Sequence, residues 1–144
     1  MNKEQLVASA LNLVKVSPET IVEYSAKRAT ITAGLNKNLE QREDLDDLVG
    51  AGNQDMMRDN HSNHSRFVEA MLNEYNPEVL VDTVLWVFRA YRSHGFQLTY
   101  WSAQLNGWLT LLEQELTKQS YLEIEPLYRW FIINQSSFVE LTDE

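Results

Sequence analysis

Apolar residues return every three or four positions along this chain, and strand-type alternation is absent, so the pattern predicts helices throughout. Asn2 caps a first helix over Lys3 to Lys15, with Leu6, Ala10, Leu13 and Val14 on one side. Ser17-Pro18 reads as a cap followed by a first-turn proline. The second helix then carries a stripe of Ile21, Tyr24, Ile31, Leu35 and Leu39, with Arg28 inside it, its stem inward and its head at the edge. Leu45, Leu48 and Val49 keep a helical face through an acidic segment until Gly50-Ala51-Gly52 breaks the chain. A third helix runs from about Gln54 to Tyr75, and Asn76-Pro77 starts a fourth.

The fourth helix, "VLVDTVLWVFRAY", is apolar nearly all round and is expected to be central, with neighbours on several sides until Gly95 ends it. A fifth shows a seam of Leu98, Trp101, Leu105, Trp108, Leu112 and Leu116, where Gly107 lets another backbone come close. Ser120 and Glu123 have the spacing of a capping box, and Pro126 stands near the start of a last helix bearing Trp130, Phe131, Phe138 and Leu141. The expectation is one all-α domain over residues 1–144, with five or six helices. More polar N-terminal helices occupy 1–50 and an aromatic-rich core occupies 53–141, because every aromatic but Tyr24 lies at or beyond Phe67. Trp86, Leu105, Trp108 and Phe131 are expected to be buried together. The N-terminal stripe, poor in aromatics, is expected to lie against that core or against a second copy of the chain, as a homodimer.

Composition narrows the partners. The chain has 144 residues and a formal net charge of −9, which opposes nucleic acid and anionic membrane surfaces as partners. It has no cysteine, so disulfides, thiolate metal sites and a cysteine nucleophile are excluded. The N-terminus lacks the apolar stretch of a signal peptide, and no apolar run approaches the roughly 18 residues of a membrane span. A cytoplasmic protein is the expectation.

The most distinctive chemistry is "RDNHSNHSRFVEAM", from Arg58 to Met71. His61 and His64 stand three residues apart on the helix face of Met57, Val68 and Met71. Buried hydrogen-bonded histidines, a shared metal and an organic ligand each fit that pattern. The zincin and di-metal carboxylate spacings are absent. The acidic segment lacks the glycine and terminal glutamate of a calcium loop. His94 precedes the helix-ending glycine, where the helix C-terminus favours a cation. No nucleophile elbow or phosphate loop occurs, and Glu123 with Glu125 is a weak acid-base pair. The tryptophans are core or the walls of a flat pocket between helices. The candidate ligand-binding residues are therefore His61, His64, Asp82, Trp86, Tyr91 and Trp108. Asp82 is the expected polar partner of the two histidines.

Two resemblances add to this. The stretch from Asp59 to Leu116, through His61, His64, Phe67, Asp82, Trp86 and Gly95, resembles the helical module ahead of cobalamin-binding domains in bacterial regulators. That resemblance implies contact with a cobalamin held by a following domain. The sequence shows no Asp-x-His-x-x-Gly cobalamin ligand motif, so cobalamin binding by this chain alone is not expected. The C-terminal half also resembles globin-like sensor domains of the non-haem type. In haem globins a histidine stands four residues before the glycine that ends this helix, and here that position is Tyr91. Together these readings point to a non-enzymatic regulatory or sensory protein that binds a small ligand, a protein partner or both. A metal- or tetrapyrrole-binding protein using His61 and His64, and a dimeric scaffold without ligand, are the rival readings.

Overall fold

The structure is a computed structural model and describes residues 1–143. Among these residues it is all-helical, with eight helices rather than five or six. They are α1 (Lys3–Ser9), α2 (Pro18–Glu40), α3 (Leu45–Val49), α4 (Gln54–Asn73), α5 (Pro77–Ser93), α6 (Leu98–Glu115), α7 (Lys118–Ile133) and α8 (Gln135–Thr142). One continuous cluster of buried apolar side chains runs from Leu6 to Phe138.

The local stop and start signals hold. Asn2 forms a capping box with Gln5 at the start of α1. Ser17 accepts from the Thr20 N–H with Pro18 in the first turn of α2, and Asn76 accepts from the N–H groups of Glu78 and Val79 ahead of α5. Gly50 and Gly95 take positive φ, of 90° and 102°, which ends α3 and α5 at a conformation other residues resist. Asn53 ties these two breaks together, its amide donating to Val49 O and His94 O, each at 2.8 Å. His94 is thus the C-cap of α5.

The extra helices arise where longer ones were expected. α1 stops at Ser9 rather than Lys15, and Ser17, which Pro18 holds out of the helical region, then caps α2. α2 stops at Glu40, and the acidic segment makes its own short helix α3, with Leu45, Leu48 and Val49 buried. The last helix is two, since α7 ends and α8 begins at Asn134. α7 starts at Lys118, well before Pro126, which sits inside it on an exposed face. Its N-cap is Thr117, which overturns the capping box expected of Ser120 and Glu123.

Glu123 caps a different helix. Its carboxylate accepts from Ser17 N at 2.6 Å and Thr20 Oγ1 at 3.0 Å, while Glu23 of α2 accepts from Thr117 N at 2.6 Å and Ser120 Oγ at 2.9 Å. α2 and α7 therefore cap each other's N-termini. The Ser17 N–H holds the Glu123 carboxyl below the ordinary value. At Glu23 burial pushes upward, but the bonds from Thr117 and Ser120 outweigh it.

The central helix is α2, packed on α4, α6 and α7. Its stripe of Tyr24, Ile31, Leu35 and Leu39 is buried within the chain, so the scarcity of early aromatics is accounted for in cis. α2 and α6 come close through small residues. A Cβ at Gly107 would lie 2.6 Å from Leu35 Cδ1, and one at Gly34 3.0 Å from Leu111 Cδ2. α5, expected at the centre, lies to one side, packed mainly on α1 and α8. Trp86 correspondingly does not join Leu105, Trp108 and Phe131 in the core: it is 64% exposed, while those three are buried.

Candidate functional site

Because α5 rests on the short helices at the two chain ends, it leaves space between itself and α4, α6 and α7. A cavity of about 250 Å³ lies there. Its apolar wall includes Phe67, Trp86, Phe88, Trp101, Phe131 and Phe138. Phe88 stacks on Trp101 at 4.6 Å and meets Phe138 edge-on at 5.3 Å, so part of that wall is fixed by ring packing. The polar wall comes from Asn60, Asn63 and His64 of α4, Thr83 and Tyr91 of α5, and Gln104 of α6. No Asp, Glu, Lys or Arg lines the cavity.

His64 is half-buried and borders this space. Its ring stacks on Trp108 at 5.0 Å, and its Nε2 lies 2.7 Å from the hydroxyl of the fully buried Tyr128. Nδ1 has no partner among the described residues. Burial lowers the ring's pKa to about 3, so it is neutral near pH 7. Behind it, Tyr24 donates to Ser65 O at 3.1 Å and its hydroxyl neighbours that of Tyr128.

His61 is fully buried and faces away from the cavity. Its Nδ1 donates to Asn36 Oδ1 at 2.6 Å, and its Nε2 lies 3.0 Å from the Tyr100 hydroxyl. Desolvation lowers its pKa to about 3, with His64 adding to the effect. The Tyr100 hydroxyl has one proton for two acceptors, His61 Nε2 and Asn60 Oδ1, the latter at 2.7 Å. Gln104 Nε2 also donates to Asn60 Oδ1, at 2.5 Å, which leaves Gln104 Oε1 without a partner among the described residues. The network joins α2, α4 and α6 and ends at the cavity wall.

The six residues expected to share a site therefore divide. His64, Trp86 and Tyr91 line the cavity. Trp108 lies one layer behind His64, and His61 belongs to the inner network. Asp82 is elsewhere: it pairs with Lys3 at 2.5 Å on the surface, its side chain 59% exposed, and it is not the partner of either histidine. It stands one turn before Trp86 on the same exposed side of α5, at the end that meets α1. Sequence reasoning missed Gln104, Tyr100 and Tyr128. Asn60 with His64, and Tyr100 with Gln104, are each four residues apart, a spacing that puts polar groups on one helix face.

The histidine pair does not fit a shared metal. Both nitrogens of His61 are engaged by Asn36 and Tyr100, and Tyr128 occupies His64 Nε2. No group of three or more His, Cys, Asp or Glu suited to a metal occurs among the described residues. A tetrapyrrole does not fit either, since its macrocycle is larger than a cavity of about 250 Å³ can enclose. No helix among the described residues is long and apolar enough to cross a membrane. No family model, curated protein or solved structure matches this chain.

Proposed function

We propose that this chain is a non-enzymatic regulatory or sensory protein that takes an uncharged, mainly apolar small molecule into the cavity beneath α5. The observation that carries this reading is the combination of an aromatic cavity without a charged wall residue and a neutral His64 whose Nδ1 is unclaimed. Pockets of this kind hold a guest by apolar area and orient it with a few polar groups. A charged guest would lose its hydration with nothing to pair it, which is strongly unfavourable.

A globin-like arrangement is part of the same reading. Tyr91, four residues before Gly95, lines the cavity, which supports an analogy to the pocket side of that helix in globins. The placement of α5 supports a sensory role: it is held by Lys3–Asp82 on α1 and by Arg92 to Thr142 and Asp143 beside α8, so a guest beneath it bears on both chain ends.

Naphthalene, an uncharged two-ring probe, tests the reading by calorimetry. Saturable binding to the wild type, lost in Val87→Trp, whose larger ring fills the cavity, is the expected result. Absence of saturable binding, or equal binding by the variant, overturns it.

A further inference from the structure

The cavity's polar wall restricts the guest further. Gln104 Oε1 can only accept a hydrogen bond, and the chain offers it no donor among the described residues. His64 Nδ1 is equally unclaimed, and its role depends on the Tyr128 hydroxyl 2.7 Å from Nε2. If Tyr128 donates to Nε2, Nδ1 carries the proton and donates into the cavity. If Nε2 donates to the Tyr128 oxygen, Nδ1 is unprotonated and becomes an acceptor. Gln104 Oε1 is thus a fixed acceptor and His64 Nδ1 a group that does either, on a wall that also carries Asn63, Thr83, Tyr91 and the Trp101 indole N–H, which has no partner among the described residues.

A carbonyl or ether on the guest cannot serve Gln104 Oε1. A ring hydroxyl serves both atoms, because it donates once and accepts as well. Much of the remaining wall is ring faces and edges, from Phe67, Trp86, Phe88, Trp101 and Phe131, which suits a flat aromatic body. We infer that the guest is an uncharged aromatic alcohol of one or two rings, its hydroxyl held by Gln104 Oε1 and His64 Nδ1. This rests on the ligand-binding reading above and names its ligand class.

The test compares 2-naphthol, naphthalene and 2-naphthoate by calorimetry at neutral pH. The expected order is 2-naphthol tighter than naphthalene by about tenfold or more, the difference a satisfied buried polar pair makes, with no binding of the anionic 2-naphthoate. His64→Phe should weaken 2-naphthol more than naphthalene and so narrow the gap between them. Should that variant fail to fold, the order in the wild type still decides. Equal affinity for 2-naphthol and naphthalene overturns the hydroxyl assignment while leaving the cavity as a binding site. Preferred binding of 2-naphthoate overturns it too. Failure of all three probes to bind the wild type removes the underlying reading with it.

Discussion

The Nε2 of His64 and the hydroxyl of Tyr128 lie 2.7 Å apart, across α4 and α7, with Tyr128 fully buried and His64 bordering the cavity. The bond fixes which ring nitrogen is left to the cavity. It also fixes the ring's rotation, since the same imidazole stacks on Trp108. Tyr128 is thus a positioning residue for His64, which lines the cavity.

Removing that hydroxyl should be felt. Tyr128→Phe leaves His64 Nε2 without its partner in surroundings that water reaches poorly. The expected loss of stability is about 1–3 kcal/mol, read from urea unfolding. An unchanged midpoint would show that the bond contributes nothing to the fold.

The two imidazoles also set a pH dependence. Both are held at about 3 in the folded chain against 6.5 when unfolded, because burial disfavours the charged ring. Between those values the unfolded chain binds more protons, so stability is full above pH 6.5 and falls as the pH drops towards 3. Glu23 and Glu123 act in the same direction, but only below their ordinary value of 4.5. The unfolding constant should therefore rise between pH 6.5 and 4.5 by roughly two protons' worth, and His61→Asn with His64→Gln should flatten it. A flat profile in the wild type over that window would mean that the histidines are hydrated.

Two tryptophans should behave oppositely. Trp108 is fully buried against His61 and His64, and Trp108→Ala should lower stability by about 3–5 kcal/mol. Trp86 is 64% exposed, and Trp86→Ala should stay within about 0.5 kcal/mol. Similar losses in thermal or urea unfolding would contradict the placement of α5.

How much of this was legible depended on range. Asn2, Ser17-Pro18, Asn76-Pro77, Gly50 and Gly95 act on their own neighbours, and each marks a helix end where it was expected. The seam of α6 was legible from Trp101 onward, with Leu105, Trp108, Leu112 and Leu116 also buried, whereas Leu98 in its first turn is 42% exposed. Periodicity failed at α5, because an all-round apolar helix reads alike whether neighbours or a cavity cover it. That misplaced Trp86 and, with it, Asp82. The mutual capping of α2 and α7 was invisible, since Glu23 and Thr117 are far apart in the chain. In the site, the two histidines divide, His64 at the cavity and His61 in the inner network, and their partners Asn36, Tyr100 and Tyr128 come from three other helices that no local pattern connects.

The close approach of α2 and α6 offers a check on the central packing. Leucine is a better helix former than glycine, so propensity alone would favour Gly107→Leu. The side chain would collide with Leu35, and the expected net result is a loss of about 1–3 kcal/mol in urea unfolding. A stabilised variant would show that the helices stand further apart.

The most direct test of the cavity as a ligand site is the set of four indole N–H signals in a ¹⁵N-correlated NMR spectrum during titration with 2-naphthol. Trp86 and Trp101 line the cavity, whereas Trp130 donates to Ser9 Oγ at 2.9 Å outside it. The Trp86 and Trp101 signals should move together and saturate while that of Trp130 stays in place. Signals that do not move, or a Trp130 signal that moves while those of Trp86 and Trp101 remain, would contradict a small-molecule site beneath α5.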